Sequence, residues 1–285
     1  MNGPIEDCAA GLISPEVGVA RLLLAGATAQ GIADALARRP AHPQLAAMAR
    51  LAAGRADALD RLAAEVAANW DNHDASGPTA QAGIARIAAF FDQAVAHSPE
   101  ASVALYSLGD PAILAAATAE IVEWLQRHSL LHQDADVLDL GCGIGRVAAA
   151  RAPRCRSVLG LDVSAGMVAE ARRRHADLHN VRFEQTSGQD LAAQPAAAFD
   201  LILTIDSFPY IVQTGRATAD RHVADAARIL RTGGALAILN MSYRAGTAED
   251  ETDARRWAAE HGLTLRHAGE RPFTIWDGTA YVLRR

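Results

Sequence analysis

The sequence contains no lysine, so its 27 basic residues are all arginine, and they are outnumbered by 33 acidic ones. The resulting formal charge of −6 and pI near 5.9 argue against an electrostatic nucleic-acid binder, whose usual mark is a basic face. Together with the abundant alanine, the arginine bias reads as the imprint of a GC-rich genome. Cysteine is scarce too. Cys8, Cys142 and Cys155 make no Cys-x-x-Cys pair and no metal-ligand spacing, which leaves no metal expected and points to a reducing compartment. There is no amino-terminal basic-plus-apolar signal and no run of about 18 apolar residues, so the expectation is a soluble cytoplasmic protein with no membrane partner. What the 285 residues do have is a hydrophobic half. That is enough for a sizeable core in one large domain, or in one plus a small one.

The chain is organised around Val137-Leu-Asp-Leu-Gly-Cys-Gly-Ile-Gly-Arg146. Apolar positions lead into Asp139, then Gly141, Gly143 and Gly145 alternate with Cys142 and Ile144, as when a buried strand breaks into a glycine turn and then a helix. Glycine admits φ > 0 and lets a ligand lie against the main chain. The helix beginning at Arg146 turns free N–H groups and a positive dipole end toward the turn. Phosphate loops, dinucleotide folds and plain tight turns also use glycines, but the dinucleotide fingerprint is G-x-G-x-x-G and lacks the carboxylate two residues before the first glycine. An anion at Asp139 repels a pyrophosphate and attracts an ammonium group, so a cationic, amino-acid-like ligand is expected.

This stretch resembles motif I of the class I S-adenosylmethionine-dependent methyltransferases, Asp-x-Gly-x-Gly-x-Gly. Further resemblances follow in the family's order. Ser157 to Asp162 supplies a second strand ending in an acid, which the resemblance assigns to the two ribose hydroxyls, with Val163 beside it, Ser164 as helix N-cap and Met167 against adenine. Val181 to Gln185 is a third strand. In the loop after it, beside Gln189, Asp190 matches the acid that meets the adenine amino group and Leu191 the residue whose backbone amide reaches the ring. Phe199 to Ile205 is a nearly continuous apolar run, typical of a central parallel strand. Ile229 to Leu239 resembles the family's helix end, Gly233-Gly234 turn and fifth strand. The fold implied is a Rossmann-like α/β sheet of seven strands in the order 3-2-1-4-5-7-6, strand 7 antiparallel, with Leu263–Ala268 and Thr279–Arg284 as strands 6 and 7. The cofactor implied is S-adenosylmethionine, leaving as S-adenosylhomocysteine. The resemblance places Tyr106, Asp139, Gly141, Cys142, Gly143, Gly145, Asp162, Val163, Met167, Gln189, Asp190, Leu191 and Ile205 in its site.

The chain before this region reads as alanine-rich helices. Ser14-Pro15-Glu16 starts one that ends near Ala25, Thr28 caps a second ending at Arg38 to Pro40, and others run from about Pro43 to Ala53 and from about Arg55 to Trp70. Residues 1–68 are expected to be a helical cap or a homodimerisation segment without a basic recognition face, residues 69–110 a linker with lid helices, and residues 111–285 the methyltransferase domain. A helix is expected over Ala80–His97 and another over Pro111–His128.

The acceptor side is defined by position. In open α/β sheets ligands lie outside the carboxyl ends of the strands, which puts Asp206 and Tyr210, after the fourth strand, toward the transferred methyl. The stretch from Asp206 to Tyr210 resembles the Asn/Asp-Pro-Pro-Tyr motif of amino-group methyltransferases but departs from it at two of four positions. Tyr243 and Arg244, after the fifth strand, and Trp276, in the turn joining the last two strands, are candidates for substrate binding; Arg244 could hold a carboxylate bidentately, while Phe273 and Trp276 could equally cover the sheet edge. His222, on a helix over Thr218–Leu230, would ordinarily be a surface residue. An amine or hydroxyl acceptor needs a base, and Asp206, then His222, are the candidates. The expected activity is methyl transfer to a small metabolite or natural-product intermediate by in-line displacement. A protein or RNA acceptor, and a non-catalytic sensor, remain as alternatives.

Overall fold

In the computed structural model, residues 3–39, 41–69, 74–244 and 246–285 are described. Trp70 and part of the expected linker, residues 70–73, lie outside them. The chain divides into two units: one of residues 1–73, 97–120 and 273–277, the other of residues 74–96, 121–272 and 278–285. The sequence boundaries at 68 and 110 differ from this division, which groups residues 80–96 with the sheet and 273–277 with the amino-terminal helices.

The first unit contains α1 (Pro4–Ala9), α2 (Pro15–Leu24), α3 (Ala29–Ala37), α4 (Pro43–Gly54) and α5 (Ala56–Asn69). Ser14 and Thr28 cap α2 and α3 by accepting from Val17 N and Gly31 N, which satisfies donors the first helical turn leaves open. Helices α2 and α4 pack so closely that a Cβ on Gly18 would sit 2.9 Å from Met48 Cε. The side chain of Asp60 accepts from Ala29 N at 2.7 Å and so ties α5 to the start of α3. Residues 273–277 join this unit through Ser14 Oγ donating to Ile275 O (2.8 Å) and Arg21 pairing with Asp277 (2.6 Å).

The helices α6 (Ala80–His97), α7 (Pro99–Val103) and α8 (Pro111–Arg127) precede the sheet. The strands are β1 (Asp136–Leu140), β2 (Ser157–Asp162), β3 (Val181–Gln185), β4 (Phe199–Ile205), β5 (Leu230–Leu239), β6 (Thr264–Glu270) and β7 (Ala280–Arg284). They form one seven-stranded sheet in the order β3-β2-β1-β4-β5-β7-β6, with β7 antiparallel to both its neighbours. Between them run α9 (Arg146–Arg151), α10 (Ala165–Arg174), α11 (Phe208–Gln213), α12 (Arg216–Ile229) and α13 (Ala248–His261). This is the Rossmann-like seven-stranded order, with strand 7 antiparallel, that the sequence implies.

Burial follows strand position. In β1 and β4 nearly every side chain is buried, as expected for central parallel strands covered on both faces. In the edge strand β3 only Val181 and Phe183 are buried, the alternation of a strand with one solvated face. One local expectation is corrected. The Gly233-Gly234 pair does not precede the fifth strand but lies within it: β5 begins at Leu230, with its pairing to β4 shifted between Phe199 and Leu201. Gly233 at φ 83° absorbs that irregularity without a Cβ penalty.

Candidate functional site

The site is built at the carboxyl ends of β1, β2, β3 and β4, beginning with the glycine turn. Gly141, Gly143 and Gly145 all have positive φ, at 75°, 54° and 77°. Two of them are also sterically fixed. A Cβ on Gly141 would lie 2.2 Å from Ser207 Cβ, and one on Gly145 would lie 2.6 Å from the Phe183 ring. The turn is tied to the end of β2, since Gly141 N and Cys142 N donate to Leu161 O at 2.7 and 3.0 Å and Gly143 N donates to Asp162 Oδ2 at 2.9 Å.

Asp139, expected to attract a cationic ligand, is 2% exposed and pairs with the fully buried Arg151, Oδ2 to Nη2, at 3.1 Å. Arg151 Nε also donates to Val147 O. Burial pushes the Asp139 carboxyl up and Arg151 opposes that shift. A lone buried carboxylate is costly, and this internal cation offsets it. The charge expected to face the ligand is therefore balanced inside the protein. Cys142 is buried, and burial together with the Asp162 and Asp139 charges raises its thiol well above the ordinary range, so it behaves as an inert packing group.

Asp162, 8% exposed, ends β2. Its Oδ2 accepts from Gly143 N and its Oδ1 from Ser164 N, each at 2.9 Å. Burial raises its pKa to about 6 despite those backbone donors. Ser164 caps α10 by accepting from Met167 N, and Met167 is 1% exposed. The third strand's loop carries Asp190, whose Oδ1 accepts from Ala192 N. Leu191 is buried and its amide already donates to Asp225 Oδ2 at 2.9 Å, which differs from the adenine-facing role the resemblance gives that N–H. Val163 is half-buried, and a Cβ on Gly188 would come within 2.6 Å of its Cγ1. Ile205 is half-buried at the end of β4.

Helix α6 borders these loops in a way sequence reasoning missed. Asp92 Oδ1 accepts from Ser164 Oγ at 2.6 Å and from Gly166 N at 2.7 Å, at the start of α10. Gln81 bonds Gln189 in the loop after β3, and Phe91 meets Tyr210 edge to face at 5.3 Å. Ahead of the helix, Ala75 N donates to Gln213 Oε1 of α11. Residues 75–92 thus touch the segments following β2, β3 and β4.

On the acceptor side the structure brings together Asp206, Tyr210 and Tyr243 and adds Asn240. Asp206 and Asn240 follow β4 and β5, which end in register at Ile205 and Leu239, and both have positive φ, 56° and 70°. Asn240 Nδ2 donates to Asp206 Oδ1 at 2.7 Å, and the Tyr243 hydroxyl lies 3.3 Å from the same oxygen and 3.2 Å from the Tyr210 hydroxyl. Burial raises the Tyr210 phenol, with the Asp206 charge next in effect; Tyr243 is 46% exposed, and its hydroxyl, facing Asp206 and Tyr210, is raised as well. Ser207, beside Asp206, donates to Leu140 O at 2.6 Å under the glycine turn. Non-glycine residues at positive φ are strained unless their surroundings hold them there. An Asp and an Asn 34 residues apart in the chain give little sequence signal of this.

The remaining candidates have other partners. Arg244 is engaged by Asp250 (3.1 Å), Asp253 (3.0 Å) and Glu249 (3.3 Å), the opposite of an open carboxylate clamp. His222 is 2% exposed rather than on the surface; its Nδ1 donates to Thr218 O within α12, and burial lowers its pKa. Tyr106 and Trp276 belong to the first unit, where their rings stack at 6.2 Å and Trp276 stacks on Phe273 at 5.2 Å. Among the described residues there is no group of three or more side chains suited to a metal ion, and no helix is long and apolar enough to cross a membrane.

Residues 137–234 match a family described as a methyltransferase domain. The chain is 38% identical over 108 residues to the trans-aconitate 2-methyltransferase of Deinococcus radiodurans, covering 36% of this chain and 37% of that protein. It is 28% identical over 123 residues to an S-adenosyl-L-methionine-dependent Diels-Alderase of Talaromyces variabilis, covering 42% and 40%. The matches thus span well under half the length of these curated relatives. A solved magnesium protoporphyrin IX methyltransferase from Synechocystis superposes with a TM-score of 0.48 at 19% identity, over 61% of this chain and 81% of that one.

Proposed function

We propose that the protein, whose residues 137–234 match a methyltransferase-domain family, is a class I S-adenosylmethionine-dependent methyltransferase that transfers a methyl group from S-adenosylmethionine to a small-molecule acceptor. The observation that carries this reading is Asp162. A buried carboxyl that accepts from Gly143 N and Ser164 N and is raised to about 6 by desolvation suits a ligand with paired hydroxyl donors, because an ionised carboxylate has about four acceptor sites. The residues fit the cofactor. Asp162 would take the ribose, the turn from Gly141 to Gly145 the methionine portion, and Met167 the adenine. The negative charge of Asp139 already has Arg151 as its partner, so its part in holding an ammonium group is secondary.

When bound, S-adenosylmethionine supplies a sulfonium-activated methyl group, and the protein's own task is mostly placement. Asp206 is positioned to take a proton from an amine or hydroxyl acceptor, held in place by Asn240 and Tyr243. Tyr210 and Tyr243 line the same place, while His222, buried within α12, is the weaker candidate for a base. A small acceptor is supported by the relatives, which include a trans-aconitate 2-methyltransferase. The relative that is a Diels-Alderase supports a second reading, in which the cofactor is bound without methyl transfer. Three free, buried cysteines suit a cytoplasmic setting, and the first unit's helices are proposed as a cap or homodimer surface, to be tested by sedimentation.

Isothermal titration with S-adenosylhomocysteine, with the appearance of that product followed by mass spectrometry after incubation with S-adenosylmethionine and acceptor, separates the two readings. Binding together with product formation supports the transferase. Binding without product supports the non-transferring reading, and no binding refutes both.

A further inference from the structure

The acceptor side carries a more specific message than small size. We infer that the acceptor reacts through an amine and enters as an ammonium group held by Asp206, an inference that rests on the methyl-transfer reading above. Three observations support it. First, Asp206 sets a carboxylate oxygen at the ends of β4 and β5, 2.7 Å from Asn240 Nδ2 and 3.3 Å from the Tyr243 hydroxyl. Second, the rings of Phe91, Tyr210 and Tyr243 meet in sequence nearly at right angles, with centroids 5.3 and 5.5 Å apart; aromatic rings next to a carboxylate favour a cation and give an anion nothing comparable. Third, Arg244, the cation carried by the loop after β5, is held by Asp250, Asp253 and Glu249, so a carboxylate acceptor would have to displace those acids.

The cluster is also fixed in place. Asp206 and Asn240 both hold positive φ at adjacent strand ends and are hydrogen-bonded to each other at 2.7 Å. This makes Asn240 a positioning residue that aims the carboxylate. Through Ser207, whose Cβ fills the space beside Gly141, the cluster adjoins the glycine turn. The ammonium gives one proton to Asp206, and the neutral nitrogen then forms a bond to the methyl carbon as the carbon–sulfur bond breaks, its electron pair returning to sulfur. The product leaves as an N-methylammonium ion.

The test uses the full chain saturated with S-adenosylhomocysteine and two matched probes, 2-phenylethylamine and 3-phenylpropanoate, with binding followed by saturation-transfer NMR and titration. The amine is expected to bind saturably and the acid to bind at least tenfold more weakly. Asp206→Asn should weaken the amine tenfold or more and leave the acid's binding unchanged or stronger. Asn240→Ala should weaken the amine severalfold, with Asn240→Asp failing to restore it because two acids would then face each other. Equal binding of acid and amine by the unaltered protein, no amine binding, or amine affinity unaffected by Asp206→Asn would overturn the inference while S-adenosylhomocysteine binding upholds the methyltransferase reading. Failure to bind S-adenosylhomocysteine would overturn both.

Discussion

Replacing Asp162 with alanine removes the acceptor assigned to the ribose. Two charge-assisted hydrogen bonds are lost, about 2 to 4 kcal/mol, which corresponds to a weakening of S-adenosylhomocysteine binding by roughly 30- to 1000-fold. The pH dependence gives an independent signature. The Asp162 carboxyl lies at about 6 in the free protein, so unaltered protein should lose affinity as pH falls from 7 to 5, where the group protonates. The alanine variant should show no such loss in that window. Stability follows the opposite direction. A carboxyl raised by folding from 3.8 to about 6 contributes its full stabilising difference below about pH 4, and that is lost as pH rises through 6, by about 3 kcal/mol in all. The variant escapes this loss but leaves Gly143 N and Ser164 N without the acceptor they have, at about 1 to 3 kcal/mol each. Its unfolding free energy at pH 7 should therefore change by no more than about 3 kcal/mol, with a flatter curve between pH 4 and 6. Titration calorimetry and urea denaturation at several pH values read both effects. Affinity within twofold of the unaltered protein, with the same pH profile, would show that the ribose is not at Asp162.

Three other perturbations probe the frame of the site. Gly141→Ala brings a Cβ to 2.2 Å from Ser207 Cβ at φ 75°, so it should lose at least about 3 kcal/mol by urea denaturation; in a Ser207→Gly background the overlap disappears and a coupling of about 2 kcal/mol is expected, whereas simple additivity would contradict the packing. Arg151→Met leaves the 2%-exposed Asp139 without its cation and should destabilise by about 3 to 5 kcal/mol at pH 7. That loss should shrink at acid pH, where Asp139 protonates, and a pH-independent loss would argue against the buried pair. Asp92→Ala removes the acceptor for Ser164 Oγ and Gly166 N and should speed hydrogen exchange at the start of α10 and in α6, at about 1 to 3 kcal/mol; unchanged protection would separate α6 from the site.

What the sequence reveals here follows from how each signal arises. The strands β1 and β4 are buried on both faces, so they read as continuous apolar runs, and the glycines of the turn are fixed by local backbone geometry that shows in the spacing. The fold and the positions of Asp139, Asp162 and Asp206 follow from these local patterns. Long-range partners leave no such mark. Asp92 on α6 looks like one charge on an amphipathic helix, and only the fold brings it to α10. Arg151 is one arginine among many until burial pairs it with Asp139. Arg244 carries no sequence mark of its partners, because Asp250 and Asp253 lie on the following helix and only the fold brings them to it. The membership of residues 273–277 in the helical unit depends on Ser14, Arg21 and Glu120, far away in the chain.

The central claim is methyl transfer from a donor seated between Asp162 and Asp206. The direct measurement is incubation of the full chain with S-adenosylmethionine carrying an isotopically labelled methyl group and a small-molecule extract, followed by mass spectrometry. The expected result is S-adenosylhomocysteine together with a labelled small molecule heavier by one methyl group, both lost with Asp162→Ala at limiting cofactor. Tight binding of the cofactor with no label leaving it, in the presence of acceptors that include amines, would contradict it.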